Sequence, residues 1–263
     1  MAPQGKQGLS KVEFPIHLLP PVHDPGIVAG HTGACWYGIP EGTPVSVAIG
    51  DLQCSTLARL QQPEDAVLNI STSAQLAIRM NPNFVPPKMD TTSSIEYFPY
   101  FSGHYLAVAA SLTGGNVMFA FVKMLQQWTH ELGLGVPKTK IWEVLQNVGQ
   151  DYGTTDLNIL PTIFGERHNP SQKAAVTNIT PLNTNLGSVY HALCRGIITN
   201  LHNMMSQNFL LAAGVKRIVG SGTTVIKNSI LSTEIEALYK LPLVLSEGSD
   251  ADAAVGAALA LLL

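Results

Sequence analysis

Apolar positions recur along the chain with two periods, every second residue in short runs and every third or fourth in longer ones, which predicts strands interleaved with helices. Residues 14–42 are rich in Pro and Gly and read as irregular, with 18–22 extended. Residues 45–49 read as a buried strand, because β-branched side chains dominate and Pro44 and Gly50 bound them. From Leu52 the period turns helical through Ser55, Thr56 and Leu60, with Asp51 as N-cap. Residues 66–71 and 74–79 read as strands joined by the tight turn Ser71-Thr72-Ser73, and 95–101 and 104–110 as a second hairpin. A helix over 116–132 presents Val117, Phe121, Met124, Leu125 and Trp128 on one face, and a shorter helix follows over 140–148. Residues 157–164 read as a strand broken at Pro161.

The last third carries the longest helical pattern, residues 186–213, stopped by Gly214. A strand over 217–220 then runs into the small-residue turn Gly220-Ser221-Gly222. A helix over 225–239, a strand over 243–245 and a final helix capped by Gly248-Ser249-Asp250 complete the order. This succession puts a glycine-containing loop at the carboxyl end of a strand, where a nucleotide can approach the backbone.

Composition narrows the function classes. A chain of 263 residues that is 46% hydrophobic can bury a sizeable core. With 13% charged residues and a net charge of −3, it has no electrostatic footprint for nucleic acid or an anionic membrane. Three widely spaced cysteines, Cys35, Cys54 and Cys194, argue against a disulfide framework or zinc site and fit the cytoplasm. No secretory signal is visible at the start, and the closing apolar run is too short to span a bilayer.

Several residues could carry chemistry, each with a plainer reading beside it. Asp51 follows a strand and opens a helix, so it is either a helix cap or a carboxylate at the mouth of an α/β cleft. Ser71-Thr72-Ser73 offers hydroxyls and N–H groups to an anion, or is an ordinary turn. Gly114-Gly115 before a helix admits a ligand to its N-terminus, or is a tight turn. Glu166 and Arg167 read as a structural ion pair rather than substrate contacts. His191 and His202 stand three turns apart on one helix, too far for shared metal ligation, and read as packing or surface residues. Walker A, dinucleotide-fingerprint and Gly-x-Ser-x-Gly patterns are absent.

In order, Gly50-Asp51-Leu52-Gln53, Ile70-Ser71-Thr72-Ser73, Gly114-Gly115, Gly165-Glu166-Arg167-His168-Asn169-Pro170, Cys194-Arg195-Gly196, Gly220-Ser221-Gly222 and residues 252–258 resemble the carboxyl-terminal domain of the FGGY carbohydrate kinases. The resemblance implies an α/β, ribonuclease H-like (actin-like ATPase) lobe, a mixed sheet with flanking helices. On this resemblance residues 1–12 are a disordered N-terminal segment and 13–263 one kinase domain ending within its last helix. It implies a sugar substrate, ATP and Mg²⁺, with Asp51 as general base and Gln53 on the sugar; Leu52 stands where many relatives carry a polar residue. Thr72 is expected to bind ATP phosphates, Gly114 and Gly115 to approach the nucleotide, and Gly220, Ser221, Gly222, Thr223 and Asn228 to line the adenosine pocket. No metal ligand is expected from this chain. Family members begin with an Asp-x-Gly-Thr lobe that holds phosphates and Mg²⁺. Nothing like it occurs here, so that lobe is the implied partner and a lone lobe is expected to have little activity. The alternative is a non-catalytic nucleotide-binding or interaction protein.

Overall fold

The computed structural model describes residues 15–21, 23–88, 90–151, 155–246 and 252–263. The expected disordered segment 1–12 and the cap Gly248-Ser249-Asp250 lie outside them. In chain order the elements are β1 Val28–His31, β2 Pro44–Ser46, α1 Asp51–Arg59, β3 Asp65–Ile70, β4 Ala74–Arg79, β5 Ile95–Pro99 and β6 Tyr105–Ser111. There follow α2 Gly115–Glu131, α3 Lys138–Asp151, β7 Asn158–Leu160, β8 Ala175–Thr177, α4 Leu186–Met204 and α5 Gln207–Ala212. The chain closes with β9 Arg217–Ser221, α6 Thr223–Ile226, α7 Ser229–Tyr239, β10 Leu243–Leu245 and α8 Asp252–Leu259. The described residues fall into two compact units: those within 15–58, 100–103 and 252–263 form the first, and those within 59–99 and 104–246 the second.

The second unit is built on a six-stranded sheet in the order β10-β9-β3-β4-β6-β5. β3, β4, β6 and β5 pair antiparallel, whereas β9 runs parallel to β3 and β10 parallel to β9, so the sheet is mixed as expected. Near-continuous apolar runs in β3 and β4 follow from this central position, since Leu68, Ile70, Leu76 and Ile78 are all fully buried. α4 packs against α3, α7 and strands β4 and β6. Its Tyr190, Cys194, Ile197, Ile198 and Leu201 fill the core, each aliphatic side chain contributing about 1.5–3 kcal/mol by burial.

One ion pair locks the sheet's register. Asp65 opens β3 opposite Arg217, which opens β9, and the guanidinium grips both carboxylate oxygens at 2.6 and 3.0 Å. Burial would raise the Asp65 pKa, but the Arg217 hydrogen bonds and the N–H groups of Gln62 and Gln61 outweigh it and hold the carboxyl below its usual range. A depressed carboxyl contributes stability that is complete above the unfolded-state value, about 4, and is lost as pH falls through the folded value. Arg217→Met is therefore expected to cost about 2–3 kcal/mol at neutral pH. The difference from the parent in urea melts should shrink below about pH 4.

Elsewhere local chemistry overrides the sequence pattern. The helix expected over 186–213 is two helices, because Met205 is extended and Ser206 caps α5 by accepting from the Phe209 N–H. The helix expected over 225–239 likewise starts early as α6 and restarts at Asn228. Only residues 158–160 of the 157–164 run form a strand, ending before Pro161, and β7 pairs with β8, which has no alternating pattern to betray it. On the expected face of α2 Val117 is buried and Phe121 and Leu125 pack against the core, whereas Trp128 is 53% exposed; Met118 and Val122 are buried besides.

The first unit departs further from expectation. Residues 45–49 were expected to be a buried strand, yet β2 spans only Pro44–Ser46 and Val45 is 48% exposed. A β-branched run between Pro and Gly specifies extended backbone but not burial. Its partner β1 lies in the stretch expected to be irregular. The connection narrows through the paired Trp36 and Ile39, with Tyr37 and Gly38 both at positive φ, the signature of a tight hairpin turn. Leu18 ends a short 3-10 turn rather than starting an extended run. α1 and α8 approach at backbone distance: a Cβ on Gly256 would stand 1.8 Å from the Cys54 carbonyl oxygen, so no side chain fits there.

Candidate functional site

Three of the expected turns meet in the second unit, and the hairpin Ser71-Thr72-Ser73 is their centre. β3 and β4 close on it after the pair Ile70 and Ala74, and the Ser71 N–H donates to the Ser73 carbonyl at 3.0 Å. The N-terminus of α2 then docks onto the turn. The Gly115 N–H donates to the Ser71 carbonyl at 2.8 Å, and the Asn116 N–H to the Thr72 carbonyl at 3.0 Å. The turn after β9 arrives from a third direction, and the Thr224 hydroxyl donates to the same Ser71 carbonyl at 3.1 Å.

The glycines at this junction are there because backbone meets backbone. A Cβ on Gly114 would lie 2.6 Å from the Ser73 carbonyl carbon, and one on Gly115 would lie 2.5 Å from the Ser71 oxygen. Gly222 has φ +96° and would place a Cβ 2.3 Å from the Ile70 oxygen. Their nearest neighbours are the backbone atoms of the β3–β4 hairpin. Ser71, Thr72 and Thr223 are exposed hydroxyl-bearing residues at this junction. The positive end of the α2 dipole is directed at the same turn, which favours an anion there.

Three other expected site residues sit deeper. Gly220 lies within β9, paired between Leu68 and Leu245, and Ser221 is buried with its hydroxyl donating to the Leu68 carbonyl. The Asn228 side chain caps α7, its Oδ1 accepting from the Ile230 and Leu231 N–H groups, while its Nδ2 donates to the Tyr190 hydroxyl at 3.0 Å. Asn228→Ala should therefore cost about 1–2 kcal/mol from the cap alone. Thermal unfolding measures this directly, and the loss of a partner for the buried Tyr190 hydroxyl adds to it.

Asp51 belongs to the first unit. Gly50 provides the first helical carbonyl, accepting from the Cys54 N–H at 3.2 Å, so Asp51 is the first residue of α1 rather than its N-cap. Its exposed carboxylate accepts from the Leu52 N–H at 2.8 Å and complements the helix dipole. Gln53, one residue before the buried Cys54, stands on the same first turn. Burial, and to a lesser degree the Asp51 charge, raises the Cys54 pKa. Burial likewise pushes the Cys194 thiol up to about 12.

The remaining motif residues are structural. Arg195 donates to the carbonyls of Thr155 and Leu157, and a Cβ on Gly196 would collide with the Ile159 oxygen, so this stretch of α4 seats β7. His191 Nε2 lies 2.8 Å from Glu234, and His202 Nε2 accepts from the Gln207 N–H. The expected ion pair between Glu166 and Arg167 is replaced: Arg167 donates to the Ala110 carbonyl, and the fully buried Glu166 takes hydrogen bonds from Ser111, Leu112, Thr113 and Asn200. Adjacent residues on a tight turn point apart, which sequence adjacency concealed.

Hydroxyls and N–H groups complement phosphate oxygens, and among the described residues no group of three His, Cys, Asp or Glu is placed to hold a metal ion. Among the described helices none is long and apolar enough to cross a membrane.

No protein-family model matches the chain. Human sedoheptulokinase is 48% identical over 250 residues, which is 95% of this chain and 52% of that protein. The chain thus spans about half the length of the curated relatives it matches. Among solved structures, xylulose kinase from Rhodospirillum rubrum superposes with a TM-score of 0.76 at 19% identity, over 96% of this chain and 49% of that one. Gluconate kinase from Lactobacillus acidophilus gives 0.72 at 20% identity, over 97% and 50%. These likenesses establish the actin-like ATPase fold that the mixed sheet and flanking helices display. By sequence the chain is similar to sedoheptulokinase over about half of that enzyme's length, and by fold it is similar to solved carbohydrate kinases.

Proposed function

We propose that this chain is the carboxyl-terminal, nucleotide-binding lobe of an ATP-dependent carbohydrate kinase that phosphorylates sedoheptulose to sedoheptulose 7-phosphate in the cytoplasm. The observation that carries the reading is the junction of three backbone turns in the second unit, with Thr72 and Thr223 exposed beside the α2 N-terminus. Thr72 binds ATP phosphates; Gly114, Gly115 and Gly222 let the turns close without side chains; Thr223 contacts the nucleoside. Gly220, Ser221 and Asn228 shape the adenosine pocket from behind. Asp51 is the general base, orienting the sugar hydroxyl as its oxygen attacks the γ-phosphorus, and Gln53 assists on the sugar. In a loose phosphoryl-transfer transition state the proton leaves late, so the carboxylate's main task is to orient the hydroxyl. Mg²⁺ arrives as the ATP complex.

The similarity to sedoheptulokinase supports the choice of sugar, and the half-length match supports a second lobe as partner. Trp36, 64% exposed, and Tyr37, 93% exposed, are the sort of apolar surface a partner covers. A coupled ADP-release assay with Mg-ATP, run on the chain combined with the amino-terminal lobe of a sedoheptulokinase, tests the reading. Turnover with sedoheptulose above that with xylulose or gluconate supports it; ATP binding with no turnover on any sugar favours a non-catalytic nucleotide binder, which the half-length match also permits. Absence of ATP binding defeats both.

A further inference from the structure

The Glu166 carboxylate is fully buried, and the groups that donate to it are uncharged. Its Oε1 accepts from the Ser111 hydroxyl at 2.8 Å, the Asn200 amide at 2.7 Å and, more weakly, the Thr113 hydroxyl at 3.4 Å. Its Oε2 accepts from the Leu112 N–H at 2.8 Å. Three of these four donors come from consecutive residues, the end of β6 and the turn that follows. Asn200 also donates to Ser111 and Thr113 at 3.0 Å each, so it ties the same turn to α4. From the other side Asn116 donates to the Leu112 carbonyl and accepts from the Gly114 N–H. Just beyond the braced stretch, the N–H groups of Gly115 and Asn116 donate to the Ser71 and Thr72 carbonyls.

An ion desolvated without a charged partner is a poor source of stability, since a well-packed apolar side chain of similar volume often does as well or better. What four directional hydrogen bonds add is a fixed path for the backbone they hold. We infer that Glu166 is a positioning residue for the phosphate-binding turn: it fixes residues 111–113, which fix Gly114-Gly115, which hold the Ser71-Thr72-Ser73 hairpin. This inference rests on the nucleotide-binding reading and assigns Glu166 no contact with ATP.

Glu166→Ala removes the brace, and Glu166→Gln keeps one acceptor for the Leu112 N–H. Leu231→Ala in α7, chosen for a matching thermal midpoint, serves as control for stability loss alone. In the full chain, Glu166→Ala should speed amide hydrogen exchange at Gly115 and Asn116 and weaken ATP binding by about tenfold, the scale of one charge-assisted hydrogen bond. Glu166→Gln should recover part of both, and the control should change neither. If Glu166→Ala does not fold, Asn200→Ala, which deletes one donor and leaves the carboxylate, should show the same two effects at smaller size. ATP affinity equal to the parent's in both Glu166→Gln and Asn200→Ala, or equal weakening in the matched control, overturns the inference. A parent chain that binds no ATP overturns the nucleotide reading itself and the inference with it, and that result is seen before any Glu166 variant is made.

Discussion

In the chain combined with its amino-terminal partner lobe, Asp51→Asn is expected to reduce ADP release with sedoheptulose and Mg-ATP by about 10²–10⁴-fold, the usual contribution of a positioned general base, and to leave ATP affinity unchanged. The substitution is well suited to the question because the carboxylate is exposed and its one described hydrogen bond, from the Leu52 N–H, is one that an asparagine oxygen also accepts. Loss of the favourable charge at the start of α1 should cost only about 0.3–1 kcal/mol. A rate loss far beyond that therefore reads the chemistry of the carboxylate. Turnover that survives Asp51→Asn would remove Asp51 from the mechanism while leaving the nucleotide-binding turns untouched.

Gly222→Val is expected to be the most damaging single change at the turn junction. Its φ of +96° is a conformation that side chains resist, and the new Cβ would meet the Ile70 oxygen at 2.3 Å and the Asn69 Oδ1 at 2.5 Å. Backbone strain of about 1–3 kcal/mol adds to overpacking of about 1–3 kcal/mol, so much of a typical domain's stability is at stake. Gly133→Ala separates the two terms. Gly133 also has positive φ, +80°, but nothing lies within 4 Å of its Cβ position, so only strain of about 1–2 kcal/mol is expected. Urea unfolding of both variants reads the difference, and ATP binding should fail in Gly222→Val alone.

Much of the second unit was legible in the sequence because each of its signals is local. Apolar runs of strand length, the Ser71-Thr72-Ser73 turn and the helical period from Asn116 depend on neighbours within a few residues, and β3, β4, β6 and α2 lie where those patterns place them. What escaped depended on partners distant in the chain. Nothing in the text around Ala175 announces β8, whose strand character comes from β7. The break at Met205 needs the Ser206 cap, a signal present in the sequence but masked by continuing apolar period. Glu166 and Arg167 looked like a pair because they are adjacent, yet the acid reaches residues more than thirty positions away.

The site was legible in a similar sense. Gly114, Gly115 and Gly222 carry a glycine signal that is legible in the sequence, and the backbone atoms of β3 and its turn that crowd them are not, because those atoms lie far away in the chain. Thr224 was not anticipated, although its hydroxyl joins the same junction, because a second threonine after a glycine turn carries no distinguishing pattern. Asp51 was read as a helix cap or a catalyst; it turns out to be the first helical residue, with an exposed carboxylate.

The claim on which the rest depends is that the hairpin at Thr72 and the turns docked on it hold the triphosphate. Titrating Mg-ATP into ¹⁵N-labelled chain and following backbone amide resonances tests it most directly. Saturable shifts concentrated at Thr72, Ser73, Gly114, Gly115 and Thr223 are the predicted result. Saturable shifts confined to other surfaces, with these five amides unmoved, would contradict it.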